Sequence, residues 1–174
     1  MKKKVFAEGL CGKKLFIIYV IGSIFGCYYE QILNFVRHLI RNGDIFWEAR
    51  RGVIYGPFSP IYGAGAVIMC YLLLRKKLSN AQVFLYSALI GGGFEYLISF
   101  CQEVFTHTKS WDYSGKFLNI DGRTTIPFML VWGLLGFLIV KVVYPFLSKQ
   151  IEKIPYEIGE KCFVVLLIFM CLNM

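Results

Sequence analysis

The stretch IPFMLVWGLLGFLIVKVVYPF, residues 126–146, decides the class of fold. Lys141 is its only charged residue, and its length matches the roughly 20 apolar residues that a helix needs to cross about 30 Å of hydrocarbon. Comparable apolar stretches lie at residues 15–36, 55–74 and 81–101. The sequence therefore predicts an all-α fold, a polytopic transmembrane helical bundle with four spanning helices.

The last apolar run, residues 162–172, differs from these four in length. At 1.5 Å per residue, about 11 residues are too few to cross a bilayer comfortably. We expect a short C-terminal helix there, and whether it spans the membrane stays open. The whole chain, residues 1–174, is predicted to form a single integral membrane domain.

The charges point to a membrane setting rather than to a nucleic acid. The net charge is +8, but the Lys and Arg residues lie in short loops beside the apolar stretches. In that position they act as topology signals and contact anionic lipid headgroups. Their distribution predicts a multi-pass protein of the cell membrane with a cytoplasmic N-terminus and no nucleic-acid partner.

Cysteine spacing and nucleotide-binding motifs exclude several functions. The six cysteines contain no C-x-x-C pair and lie mostly in apolar segments, where cysteine behaves as a small hydrophobe. We therefore predict no disulfide framework, no metal site and no cofactor. The sequence has no G-x-x-x-x-G-K-[ST] motif, so the chain by itself is not expected to hydrolyse ATP.

An internal repeat is the most informative pattern. EQILNF at residues 30–35 resembles EYLISF at 95–100, and each is followed by a Pro-Phe and an aromatic-Gly pair, at residues 57–63 and 127–133. The pattern predicts two tandem duplicated transmembrane hairpins, residues 15–74 and 81–146, followed by the C-terminal segment. Parallel repeats of this kind commonly hold a substrate site between the two halves.

The repeat places two carboxylates, Glu30 and Glu95, at matching positions inside predicted spans. An ionisable group in the membrane costs roughly 2.5–3.5 kcal/mol on insertion scales and normally finds a partner in the bundle interior. The nearest candidate partners are Arg50, Arg51 and Arg123. Two interpretations stay open: a polar pocket built from both halves, or ion pairs that only fix the two hairpins.

The candidate site extends to the polar and aromatic residues that accompany these charges. The predicted substrate-binding set is Glu30, Arg51, Tyr55, Tyr62, Glu95, Ser99, Trp111, Asp112, Asn119 and Arg123. If the protein is catalytic, the acid–base candidates are Glu95, Glu103 and Asp112, because carboxyl groups commonly perform proton transfer.

Several parts of the sequence resemble the bacterial ABC-transporter type IV permease family, which comprises small integral membrane proteins (CmpB-like). They are residues 51–66 and 95–103, the WDYS sequence at 111–114, Asn119 and the Gly122-Arg123 pair. The resemblance covers roughly residues 15–145. It implies a small multi-pass membrane protein and supports the choice of site residues, and it leaves the activity open. It does not identify a substrate.

Three functions are therefore open at this point. The first is a permease-like transport component with a polar intramembrane site between two pseudo-repeats. The second is a membrane-embedded enzyme that acts on a lipid or lipid-linked substrate, and the third is a non-catalytic membrane scaffold. The expected partners are the lipid bilayer, an ATP-binding subunit and a second copy of the chain.

Overall fold

The computed structural model describes residues 4–49 and 52–173. The elements are α1 (Gly12–Asn42), α2 (Pro60–Leu73), α3 (Asn80–Thr106), β1 (Asn119–Ile120), β2 (Thr124–Thr125), α4 (Ile126–Leu138), a π-helical turn (Ile139–Val143), α5 (Tyr144–Glu152) and α6 (Tyr156–Asn173). The short strands pair antiparallel, with Asn119 opposite Thr125. The predicted all-α class is confirmed, apart from this small hairpin.

Three helices in the described part of the chain are long and apolar enough to cross a membrane. They are α1, α3 and the continuous helix Ile126–Glu152, which comprises α4, the π-helical turn and α5. This composition confirms a protein with membrane-spanning helices.

The predicted second span, residues 55–74, is wrong at its start and in its length. The helix begins at Pro60 and has 14 residues, fewer than the roughly 20 needed to cross the hydrocarbon. Gly56 has a φ of 82°, a left-handed conformation that interrupts a helix. Pro57 and Pro60 lack the backbone N–H that a preceding helical turn would need. Residues 4–49 and 52–173 therefore contain three long apolar helices where four were expected.

The C-terminal helix is longer than the prediction of residues 162–172. Helix α6 has 18 residues and begins directly after Pro155. Its first turns contain Glu157, Glu160 and Lys161, which the search for apolar residues excluded. The boundary was missed because a helix does not have to be apolar throughout.

Local capping fixes the start of α3 and both ends of the segment that links α3 to α4. Ser79 and Gln82 form a capping box at the start of α3, and α3 ends at His107, which has a φ of 53°. The Thr125 hydroxyl accepts a hydrogen bond from the backbone N–H of Phe128 and so caps α4. The segment between His107 and Thr125 is therefore anchored at both helix ends.

The chain divides into two compact units, of which one is Met69–Pro145 and the other comprises the described residues before and after it. The core of the Met69–Pro145 unit is built from Met69, Leu73, Val83 and Val140, all buried. The flanking unit has two apolar clusters, centred on Phe6, Ala7 and Ile151 and on Val20, Phe58 and Met170.

In the flanking unit, α1 packs against α2 through small residues. A Cβ atom at Gly26 would overlap the Tyr62 ring, and one at Gly63 would overlap Tyr19. A Cβ atom at Gly22 would lie 3.2 Å from the Cβ atom of Ala66. Small residues allow the two backbones to approach closely, as is common between membrane helices.

In the Met69–Pro145 unit, α3 packs against α4 in the same manner. A Cβ atom at Gly91 would overlap Trp132, one at Gly133 would meet Phe84, and one at Gly136 would overlap Ser87. Each of these contacts corresponds to one in the first hairpin, with the α1 residue number raised by 65 and the α2 residue number raised by 70. The corresponding pairs are Gly26–Tyr62 and Gly91–Trp132, Tyr19–Gly63 and Phe84–Gly133, and Gly22–Ala66 and Ser87–Gly136. The two hairpins thus pack through residues at corresponding sequence positions.

Two polar contacts hold the flanking unit together. The Asn173 side chain accepts a hydrogen bond from the Tyr55 N–H at 2.6 Å and donates one to the Tyr55 carbonyl at 2.7 Å. The fully buried Lys14 pairs with Glu152 and donates to Ser148 Oγ at 2.6 Å. These contacts join α6 and α5 to segments that are distant in sequence.

Candidate polar site at the end of α3

The Glu95 carboxylate on α3 accepts hydrogen bonds from neutral donors. Tyr113 Oη lies 3.0 Å from Oε1, and Thr124 Oγ1 lies 2.7 Å from Oε2. The Trp132 indole on α4 is a further donor group beside the same carboxylate. Within residues 4–49 and 52–173, Glu95 forms no ion pair with a cationic side chain. It is thus a half-buried acid on a membrane-length helix, satisfied by hydroxyl and indole groups.

Arg123 is the charged centre of the cluster beside Glu95. Its side chain is buried, with only 9% of the residue surface exposed. Its Nε donates to Asp121 Oδ2 at 3.0 Å, and its Nη2 forms an ion pair with Glu103. Its Nη1 lies 3.5 Å from Ser99 Oγ. The planar guanidinium therefore joins the loop to the last turns of α3.

Aromatic residues of α3 and the loop complete the surroundings of Arg123. Its guanidinium carbon lies 5.6 Å from the Tyr96 ring centre and 5.4 Å from that of Phe100. At these distances the rings attract the cation through their quadrupoles. The Trp111 indole N–H donates to the Arg123 carbonyl at 2.9 Å. Trp111 therefore holds the backbone while the two rings hold the side chain.

The expected Glu95–Arg123 ion pair is not what the structure contains. Arg123 pairs with Glu103 and Asp121, and Glu95 is bound by the hydroxyl of the next residue, Thr124. Glu95, Ser99 and Glu103 follow one face of α3 at four-residue spacing. Arg123 binds the part of this face nearest the C-terminal end of α3.

Asp112 and Asn119 stabilise turns of the loop. Asp112 Oδ1 accepts hydrogen bonds from the Ser114 hydroxyl at 2.6 Å and from the Ser114 N–H at 2.8 Å. Asn119 Oδ1 accepts from the Gly122 N–H at 3.0 Å. The Tyr113 N–H donates to the Gly122 carbonyl at 2.8 Å. Together these bonds position Tyr113 so that its hydroxyl reaches Glu95.

The loop carboxylates are stabilised in their ionised forms. The hydrogen bond from Arg123 lowers the pKa of Asp121, and the Tyr96 hydroxyl adds to the effect. The Ser114 hydroxyl and N–H lower the pKa of Asp112. Conversely, the contact with Glu103 raises the pKa of Arg123. Lys109 Nζ lies 3.1 Å from Glu103, so the charges at this end of α3 are largely compensated.

The candidate residues of the first hairpin are less closely gathered. Glu30 Oε1 accepts a hydrogen bond from Tyr62 Oη at 3.3 Å. Tyr55 has 67% of its surface exposed, and its backbone is held by Asn173. Arg51 lies outside the described residues, so its predicted pairing with Glu30 stays a prediction.

Sequence reasoning missed Tyr113, Thr124 and Tyr96 as members of the site. Tyr113 and Thr124 each stand beside a residue that was selected, Asp112 and Arg123 respectively. Their hydroxyl groups were the available signal, because an acid on a membrane helix needs donors nearby. The search for charged partners overlooked neutral ones. In the described part of the chain, no group of three or more His, Cys, Asp or Glu side chains is placed to hold a metal ion.

Long apolar helices, one of which carries a hydrogen-bonded acid, define a helical membrane protein with a polar cluster at the end of one of these helices. The chain belongs to the family described as "Putative ABC-transporter type IV", whose model matches residues 17–174. No curated protein and no solved structure matches the chain significantly. Family membership and the three apolar helices together identify a membrane protein of a transporter family.

Proposed function

We propose that this chain is the membrane subunit of a permease-like transport complex and that Glu95 belongs to its polar intramembrane site. The observation that carries the proposal is a carboxylate on a membrane-length helix that is bound by Tyr113 and Thr124 and has no cationic partner among the described residues. Ionisable groups inside membranes usually mark pathways or binding sites, because they are costly to retain for packing alone. Family membership supports the same function.

The proposed complex includes a separate ATP-binding subunit. The sequence lacks a phosphate-binding loop of its own, so ATP hydrolysis has to come from a partner. The short basic segment that contains Arg75, Lys76 and Lys77, between α2 and α3, is the proposed docking region. The proposal places this segment in the cytoplasm with the N-terminus, as the Lys and Arg distribution favours, and it therefore requires α2 together with the residues before it to complete the return crossing.

The tandem duplication is part of the proposal. The shared register of the contacts Gly26–Tyr62 and Gly91–Trp132 supports it, because two unrelated hairpins have no reason to place glycine and aromatic partners at corresponding positions. Glu30 and Glu95 follow the same register. The proposal thus treats Glu30 and Glu95 as equivalent acids of two related halves.

The decisive experiment is affinity purification of the tagged full-length protein from its host's membranes in mild detergent, with quantitative mass spectrometry of what is bound. A stoichiometric ATP-binding protein supports the proposal. Loss of ATP-dependent transport in Glu95→Gln, with transport retained in Glu157→Gln, supports the role of Glu95. Glu157 is a matched control because it is exposed on α6. Absence of an ATP-binding partner overturns the permease proposal.

A lipid-acting membrane enzyme is the second candidate, and the Tyr113–Glu95 contact favours it. A phenol hydroxyl and a carboxyl at 3.0 Å are placed for proton transfer to a bound substrate. Glu103 and Asp112 are less suited, because Glu103 is paired with Arg123 and Asp112 forms a turn. Turnover of a lipid by the purified protein without ATP distinguishes this candidate from the permease.

A further inference from the structure

The environment of Glu95 provides an internal template for that of Glu30. The shift of 65 on the first helix and 70 on the second converts the Glu30–Tyr62 contact into the Glu95–Trp132 contact. Each carboxylate therefore faces an aromatic hydrogen-bond donor from the following helix. What surrounds the rest of the carboxylate can be compared between the two hairpins.

The comparison shows that Glu30 has fewer donors. Glu95 receives two hydroxyl groups from its own loop in addition to Trp132. Among residues 4–49 and 52–173, the hydrogen bond from Tyr62, at 3.3 Å, is the only hydrogen bond or ion pair of the Glu30 carboxylate. With the same shift of 70, Ile54 is the residue that corresponds to Thr124, and the isoleucine side chain cannot donate a hydrogen bond.

A half-buried carboxylate that receives one long hydrogen bond from the described residues is costly on a membrane-length helix unless another group also binds it. A carboxylate offers about four lone-pair positions, and one long hydrogen bond occupies only one of them. In the second hairpin, neutral hydroxyl groups fill these positions, without a cation. The chemistry that satisfies the equivalent acid is therefore known from the molecule itself.

We infer that Glu30 binds a ligand rich in hydroxyl groups, a sugar or polyol, whose hydroxyls take the places that Tyr113 and Thr124 take around Glu95. The inference rests on the proposed function, since it names a substrate class for the acid of the first hairpin in the proposed transport subunit. Tyr29 and Tyr62 lie edge to face with their ring centres 6.3 Å apart. Their partly exposed rings offer the apolar surface on which the C–H face of a sugar ring packs.

The test measures ligand binding to the full-length protein in nanodiscs by native mass spectrometry and by tryptophan fluorescence. The probes are glucosyl-diacylglycerol, free methyl glucoside, phosphatidylcholine and diacylglycerol. Binding of the glucosyl lipid alone assigns the hydroxyls to a lipid headgroup, and binding of methyl glucoside as well assigns them to a free sugar. Either result supports the inference. Preference for phosphatidylcholine, whose headgroup is a cation, overturns it.

Two substitutions of one residue separate a hydroxyl ligand from a cationic one. Glu30→Leu is expected to weaken sugar binding roughly tenfold to a hundredfold, because charge-assisted hydrogen bonds are lost. Glu30→Gln keeps one carbonyl acceptor and is expected to weaken sugar binding less than Glu30→Leu does. An equal loss of binding affinity in the two variants indicates a cationic ligand and overturns the inference. Unchanged sugar binding in Glu30→Leu overturns it as well. Glu157→Gln is the matched control, and thermal unfolding checks that each variant is folded.

Failure of this inference and failure of the permease proposal give different results. If an ATP-binding subunit co-purifies but no hydroxyl-bearing probe binds through Glu30, the ligand class is wrong and the permease proposal stands. If the sugar probes bind but no ATP-binding subunit is found, the ligand class stands and the permease proposal fails.

Discussion

Arg123 and Glu103 form an ion pair that joins the loop before α4 to the last turns of α3. Arg123 is buried, whereas Glu103 remains accessible enough to contact Lys109 as well. Because one guanidinium also binds Asp121 and lies near two aromatic rings, the loop depends on it more than on any single carboxylate.

Arg123→Met is expected to release the loop between α3 and α4. Methionine keeps much of the apolar volume but removes the donors that bind Glu103 and Asp121. Trypsin cleavage after Lys109 and Lys116 should become several-fold faster, because local opening exposes the backbone. Arg37→Met on the exposed side of α1 is the control, and equal cleavage rates in the two variants would contradict the prediction.

The Asp121 carboxylate is expected to make the loop sensitive to acid. Its pKa lies below the ordinary value of 3.8, chiefly because of the hydrogen bond from Arg123. A lowered pKa in the folded state means that the stabilisation is present above 3.8 and is lost as the pH falls through the lower, folded-state pKa. Thermal unfolding in detergent, measured while the pH is lowered from neutrality, should show a smaller acid-induced decrease in Asp121→Asn than in the wild type.

Gly91→Ala and Gly93→Ala are expected to change the free energy of unfolding differently, although the two positions are only two residues apart on α3. A Cβ atom at position 91 would overlap the side chain of Trp132, whereas one at position 93 meets nothing within 4 Å. Overpacking of this kind typically costs about 1–3 kcal/mol. At position 93, alanine should be neutral or stabilising by up to about 1 kcal/mol, because it favours the helix. Equal changes in the free energy of unfolding would refute the close contact.

Lys14 and Glu152 are expected to be energetically coupled. Glu152→Gln leaves a fully buried ammonium without its anion and should cost about 2–3 kcal/mol, less than a fully buried pair because the Glu152 side chain is 33% exposed. Lys14→Met should cost less, since methionine is apolar and similar in length. A double-mutant cycle is expected to give a coupling of about 1 kcal/mol or more. The more exposed Lys13–Glu160 pair serves as the comparison, and Glu160→Gln should change stability by less than about 1 kcal/mol.

Apolar patterning predicted the long helices well, because hydrocarbon thickness imposes a length that can be read directly from sequence. It placed α3 and the start of α4 close to their observed bounds. It failed at α2, where prolines and glycines in an apolar run delay the helix, and at α6, where charged residues belong to the first turns.

The charged residues of the candidate site were predicted from the sequence, whereas the residues that contribute hydroxyl groups were not. The face of α3 that carries Glu95 and Glu103 was recognised from four-residue spacing. The partners of that face depend on how the loop folds, and the loop is shaped by left-handed residues such as Asp121 and Leu118. Such backbone conformations leave little trace in composition, so Thr124 was not distinguished from its neighbours.

The contact between Asn173 and Tyr55 also bears on how the protein is made. The two residues are 118 positions apart, so the backbone before α2 gains these hydrogen-bonding partners only after α6 has been synthesised. Before then, α1 and α2 are already synthesised, but the segment between them is incomplete. A helix that is translated well after the first hairpin therefore completes the hydrogen bonding of the segment between α1 and α2, so the first hairpin reaches its final structure only after α6 has been made.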